Sequence, residues 1–230
     1  MARLPRLYLP GLPQLALLNG HDGDVVFRDA ADYRLFLDAL REAARSNGFA
    51  LHAYVLMPDH LHLLGTGNAP DSLARTLQSV GRRYVAAFNA RHGRRGTLWN
   101  GRFRSTVLAP DEFLLPAMRY LETHPFRAGL VASDADWPWS SLPHHLGLGA
   151  DPALSDHLEY WKLGNTPFER QAAYRAYLDD GATAAAEFDA IRAATRGGWL
   201  LASPNFAGTA GNQANRRLVP AKPGRPRKLD

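Results

Sequence analysis

Two histidines stand one residue apart in the run Met57-Pro58-Asp59-His60-Leu61-His62-Leu63-Leu64. On a strand, side chains at i and i+2 leave the same face. His60 and His62 would then project side by side, with Leu61 and Leu63 facing a core. Adjacent imidazoles are good ligands for a divalent metal, but two do not complete a site, and a lone His-x-His also reads as an incidental strand pair. Further along, Tyr120 and His124 are four apart, a spacing that puts both on one helical face. One reading makes Tyr120 a core-edge residue and His124 a cation favoured at a helix C-terminus. The other makes His124 a third metal ligand, with Tyr120 poised beside the ion to attack a group held there.

A phenol suits phosphodiester chemistry. Its free pKa of about 10 makes it easier to activate than an alkyl alcohol, and the phosphotyrosine it forms is a good leaving group in return. A divalent ion would polarise the phosphoryl oxygen. Charge elsewhere agrees with a polyanionic partner. The chain carries a formal net charge of +5, and the excess is mostly arginine in clusters: Arg82-Arg83, Arg94-Arg95, Arg102 and Arg104, then a basic C-terminal tail. Clustered arginines suit forked contacts to phosphate.

The elements that must position these residues follow from the hydrophobic pattern. Gln14 to Leu18 reads as a strand, followed by an Asn-Gly turn. Asp29 to Ser46 carries a helical stripe through Tyr33, Phe36, Leu37 and Leu40, stopped at Asn47-Gly48. Phe49 to Met57 and His60 to Thr66 read as two strands joined at Pro58-Asp59. Asp71 to His92 is a second helix with Leu73, Leu77, Val80, Tyr84 and Phe88 inward. Thr97 to Leu108 reads as extended, and Pro110-Asp111 opens a third helix through about Thr123. This order predicts an α+β, ferredoxin-like (split βαβ) sandwich with an antiparallel sheet. It would occupy residues 1–146, followed by a mainly helical extension over 147–203 and a flexible basic tail over 204–230.

With no cysteine among its 230 residues, the chain has no disulfide and no thiolate ligand or nucleophile. The N-terminus is broken by Pro5, Pro10 and Pro13, and no stretch approaches a membrane span. The expectation is a cytoplasmic, nucleoid-associated protein with no membrane partner.

Several tracts resemble one family, the HUH-type single-tyrosine transposases. His60-Leu61-His62 looks like their histidine, bulky apolar residue, histidine motif. The stretch from Tyr120 to Val131 is similar to the family's Tyr-x-x-x-Asn-Pro-x-Arg-x-Gly-Leu-Val segment. Asp136-Trp137-Pro138-Trp139-Ser140-Ser141 resembles the Asp-Trp-Pro-Tyr-Ser-Ser that follows it, and Trp99 to Phe103 resembles a Trp-x-x-Arg-Phe strand entry. These cover most of residues 14–145, in order, and are nearest the REP-associated branch.

The resemblance implies that Tyr120 cleaves single-stranded or hairpin DNA, leaving a covalent 5′-phosphotyrosine and a free 3′-hydroxyl, and that a homodimer is one assembly open to the chain. It implies that His60 and His62 bind Mg²⁺ or Mn²⁺ with the side chain four residues after the tyrosine. That position is usually Asn or Gln in the family and is His124 here; three imidazoles favour Mn²⁺ or Zn²⁺ over oxygen-loving Mg²⁺. Arg82, Arg83, Arg102 and Arg104 are candidate DNA-binding residues, with Trp99, Phe103 or Trp139 as stacking rings. Asp59 is either a turn residue or a partner for a metal-bound imidazole, and His52, His144 and His145 read as incidental. Lys222 to Lys228 resembles a minor-groove hook or a plain solubilising tail. Two rival functions remain: a non-catalytic nucleic-acid-binding protein of the same fold, and a zinc hydrolase acting through water.

Overall fold

The computed structural model describes residues 5–181, 184–211, 214 and 216–220. The tail motif Lys222 to Lys228 lies outside these described residues. Strand β1 (Gln14–Asn19) leads to helix α1 (Ala30–Ser46), strands β2 (Phe49–Leu56) and β3 (His60–Gly67), helix α2 (Ser72–His92) and strand β4 (Arg104–Val107). The strands pair in the order β2-β3-β1-β4, and every pair is antiparallel. β3 thus lies between β1 and β2, which α1 connects. This is the split βαβ arrangement expected from the sequence.

Helix α1 starts where Asp29 accepts hydrogen bonds from the N–H groups of Ala31 and Asp32, satisfying donors that the first turn leaves unpaired. It buries Tyr33, Phe36, Leu40 and Ala43, and α2 buries Leu73, Leu77, Val80, Tyr84 and Phe88. Both helices cover one face of the sheet, where Ala16, Leu18, Leu61 and Leu63 point.

The opposite face receives helix α3 (Pro110–Glu122), then the short α4 (His124–Arg127) and α5 (Leu142–His145). The chain after residue 147 returns to this same face. Tyr160 of α6 (Leu158–Trp161), Tyr174 and Leu178 of α7 (Pro167–Asp179), and Phe188 and Ile191 of α8 (Ala184–Gly197) share one core with Leu15, Val55, Leu64 and Leu121. Helix α9 (Pro204–Ala210) follows. Leu201 hydrogen-bonds to Val107 and Ala109, so the returning chain covers the exposed side of edge strand β4.

One expected strand is shorter than its sequence suggests. Thr97 to Leu108 is regular only over Arg104–Val107, with an isolated bridge from Trp99 to Gly20. Gly101 has φ +66°, a left-handed conformation that cannot continue a strand. The segment before it wraps around the end of β1 instead, where Leu98 accepts from His21 and Asn19 accepts from Asn100.

Candidate active site

Strand β3 delivers His60 and His62 to the face opposite Leu61 and Leu63, as the two-residue period requires. On neighbouring β1, Asn19 lies opposite His60 and Leu17 opposite His62. Helix α3 crosses this face with Tyr120 near its end. The helix stops at Glu122 and Pro125 opens the next turn, so His124 is the first residue of α4 rather than part of one continuous helix. The break does not separate the pair. Ring centroids lie 5.5 Å apart for His62 and Tyr120, and 6.0 Å for Tyr120 and His124.

The three histidines converge. Their centroids are separated by 4.9 Å (His60 to His124), 5.4 Å (His60 to His62) and 5.5 Å (His62 to His124). Each can offer one nitrogen such that all three lie within 4.8 Å of one another. His60 Nδ1 donates to Asp59 Oδ1 at 2.6 Å, which fixes its tautomer and leaves Nε2 as the free lone pair. Asp59 therefore touches the ring of a candidate ligand, the arrangement in which a carboxylate orients a metal-bound imidazole.

Burial disfavours charge on two of the three rings. Burial pushes the His62 pKa well below its ordinary value, and the charges of His60 and His124 add to the effect. His124 is lowered to about 3, by burial first and then by His60 and Arg127. A histidine cation at a helix end does not describe His124. The Nδ1 atoms of His62 and His124 are buried with no hydrogen-bond partner among the described residues, an expensive arrangement unless something accepts their lone pairs. Converging imidazoles, two of them with an unpartnered buried nitrogen, fit a divalent ion of borderline softness, and an all-nitrogen donor set fits Mn²⁺ or Zn²⁺ better than Mg²⁺.

The cleft has a volume of about 270 Å³ and is lined by this cluster together with Arg127, Arg192, Thr195 and Arg196. Arg127 donates to the Tyr120 carbonyl at 2.5 Å, and its guanidinium lies 5.1 Å from the Tyr120 ring centroid. Arg192 and Arg196 come from α8, whose attachment to α3 runs through buried Arg119: it donates to Glu187 at 2.6 Å and to the Tyr177 carbonyl at 3.2 Å.

A second buried assembly holds α3 from below. Glu122 has no exposed surface. It accepts from His145 Nδ1 at 2.6 Å, from the Tyr174 hydroxyl at 2.5 Å and from the Ser141 hydroxyl. Ser141 in turn accepts from the Tyr54 N–H at 3.0 Å. His145, read as incidental from sequence, is thus part of the anchor for the helix that carries Tyr120.

The expected DNA-binding arginines divide. Arg104 is opposite Leu17 on β4, so it leaves the same sheet face as His62, and Arg102 adjoins it. Arg83 is held by Glu42 of α1, and its neighbour Arg82 is exposed on the same helical layer, on the other side of the sheet from the histidines. Among the stacking candidates, Trp139 is stacked on Tyr33 at 4.6 Å and Phe103 lies beneath the Arg6 guanidinium at 3.8 Å. Trp99 is half-buried at the rim. Sequence reasoning missed Arg127, Arg192 and Arg196 as site residues. Arg127 was visible inside the Tyr120 tract, but the α8 pair carried only an i, i+4 spacing that many surface helices share.

Two other clusters have metal-like compositions and carry no such role. Between Asp29, Asp32 and His92 sits the Arg91 guanidinium, bound to both carboxylates. At His144, His145 and Asp156, the His144 Nε2 donates to Asp156 Oδ1 at 3.3 Å, which commits that nitrogen as a donor rather than a ligand.

No family model matches the chain. A REP-associated tyrosine transposase of Escherichia coli (strain K12) is 21% identical over 121 residues, spanning 52% of this chain and 70% of that protein. Among solved structures, a REP-associated tyrosine transposase bound to a REP hairpin superposes with a TM-score of 0.54 at 19% identity, covering 68% of this chain and 92% of the other. A candidate transposase of Deinococcus radiodurans R1 has a TM-score of 0.36 at 26% identity, covering 48% and 89%. The first solved structure shares the mixed α+β fold with its four-stranded antiparallel sheet. Among the described residues, no helix is long and apolar enough to cross a membrane.

Proposed function

We propose that this chain, related to the REP-associated tyrosine transposases, cleaves and rejoins single-stranded DNA at hairpin or repeat structures, with Tyr120 as nucleophile. The observation that carries this reading is the meeting of Tyr120 with three converging imidazoles in a cleft lined by arginines and, among the described residues, by no carboxylate. A binding protein needs basic surface but has no use for a phenol beside orphaned histidines. A water-based hydrolase would leave the arginine lining and the tyrosine without a task.

In the proposed reaction the Tyr120 oxygen attacks a backbone phosphorus in line. The bond from phosphorus to the 3′-oxygen breaks as the tyrosyl bond forms. The phenolic proton passes to solvent, and the departing 3′-oxygen takes one up. The product is a 5′-phosphotyrosine and a free 3′-hydroxyl. Attack by a 3′-hydroxyl on the phosphotyrosine reverses the step and joins strands without an external energy source. Arg127 lies beside the ring to offset negative charge on the attacking and bridging oxygens. His60, His62 and His124 would hold a divalent ion, which when bound supplies Lewis acidity at the phosphoryl oxygen. Asp59 fixes the His60 ring.

The test is incubation of a labelled hairpin oligonucleotide with Mn²⁺ or Mg²⁺. Wild type is expected to form an SDS-resistant protein–DNA adduct and Tyr120→Phe none. An undiminished adduct in that variant would remove Tyr120 from the role.

A further inference from the structure

The cleft at Tyr120 does not end at the histidines. Thr195 and Arg196 line both it and an adjoining hollow formed with Arg102, Arg104 and Arg216. Arg6, Arg102 and Phe103 are in turn shared with a third hollow, which reaches Arg75, Gln78 and Trp99. The sheet register supports this path. Leu17 lies opposite both His62 and Arg104, so those side chains form one row across three strands. At the usual strand spacing Arg104 stands roughly 10 Å from His62.

Along this path Arg75 and Arg192 pair with Asp71 and Asp189 on their own helices, within one turn, and the other arginines are neutralised less. Arg83, Arg91, Arg94 and Arg175 are each paired with a carboxylate. Arg102, Arg104, Arg127 and Arg196 have no carboxylate partner among the described residues, and no Asp or Glu lines any of the three hollows. Arg104 and Arg127 donate only to neutral oxygens, the Arg196 carbonyl, the Tyr120 carbonyl and the Thr123 hydroxyl, so their charge is left for an anion that spans the groove to offset. An open end carrying an indole adds a face on which a base can stack.

We infer that this groove, lined by Arg196 of α8 and Arg104 of β4 where Arg104 donates to the Arg196 carbonyl at 3.4 Å, holds the phosphate backbone of the single strand flanking the bond at Tyr120, and leads its bases to Trp99. The inference rests on the nucleic-acid reading above and adds the path and its residues. It makes α8, beyond the sheet in sequence, one wall of the DNA site. Two elements that meet only in the folded chain therefore clamp one strand.

The experiment uses the full chain carrying Tyr120→Phe, so that binding is read without chemistry. Affinity for a labelled hairpin with a single-stranded flank is measured by fluorescence anisotropy across a salt series. Each phosphate contact to a single strand contributes about 0.7 to the slope of log affinity against log salt. Arg104→Ala and Arg196→Ala are expected to lower the slope by about 0.7 each, and the double variant by about 1.4. Arg196→Lys should retain the slope, and Arg175→Ala should match the parent. A double variant with the parent slope overturns the groove while leaving the transposase reading intact. A parent that binds no single-stranded flank removes both.

Discussion

Glu122 is the buried residue on which the placement of Tyr120 and His124 depends, and Glu122→Ala tests it. The carboxylate has no exposed surface and receives hydrogen bonds from His145, Tyr174 and Ser141. Burial first, then the Glu122 charge, pushes the Tyr174 pKa far above 10. The phenol therefore stays protonated and donates. Truncation leaves the His145 and Tyr174 donors without an acceptor, each costing about 1–3 kcal/mol. A total of about 3–5 kcal/mol is what breaking a buried polar pair costs. At about 2–4 °C per kcal/mol for a chain of this size, the Tm should fall by roughly 6–20 °C. Glu122→Gln keeps the volume and one acceptor oxygen and should cost about 1–2 kcal/mol. The Gln variant should also weaken Mn²⁺ binding by calorimetry, because Tyr120 and the proposed ligand His124 flank position 122 on the turn it anchors. Thermal unfolding by circular dichroism, beside the exposed control Glu42→Ala, reads the outcome. A Glu122→Ala transition no lower than that control would refute the anchoring argument.

Other outcomes follow from the same geometry. The three-imidazole set should bind Mn²⁺ and Zn²⁺ more tightly than Mg²⁺, and His124→Asn should narrow that preference in calorimetric titrations of each ion; an unchanged order of affinities would count against His124 as a ligand. His144 and Asp156 should give a pH-dependent contribution to stability. The Asp156 hydrogen bond raises the His144 pKa above 6.5, with Asp151 and Glu122 adding to it, while His144, His145 and Arg170 lower Asp156 below 3.8. The raised histidine contributes below 6.5 and loses its effect as pH climbs through its folded value. The lowered aspartate contributes above 3.8 and loses its effect as pH drops through its folded value. The Tm difference between wild type and His144→Gln should therefore be largest between those two values, and a gap that widens at alkaline pH would contradict the sign.

What the sequence by itself determined is local. Period two on β3 sent His60 and His62 one way and Leu61 and Leu63 the other, because a strand that buries one face leaves its alternate residues no choice. The apolar stripes of α1 and α2 and the turns at Asn47-Gly48 and Pro58-Asp59 marked the βαββαβ order in the same way. Tyr120 and His124 were legible as partners from spacing and from the tract around them, even though the helix breaks between them. Thr97 to Leu108 misled because apolar alternation does not reveal that Gly101 takes a left-handed turn. The tertiary structure alone decided which distant residues share the site. His145 and Tyr174 become the anchor for α3 because burial compels Glu122 to find donors, and no local pattern names them. Arg192 and Arg196 reach the histidines because α8 packs on the sheet face that the first helical layer leaves open. Arg83, equally basic in sequence, is occupied by Glu42 on the other layer. Whether a guanidinium is free for phosphate depends on which carboxylate folding brings to it, and that is a property of the packed chain.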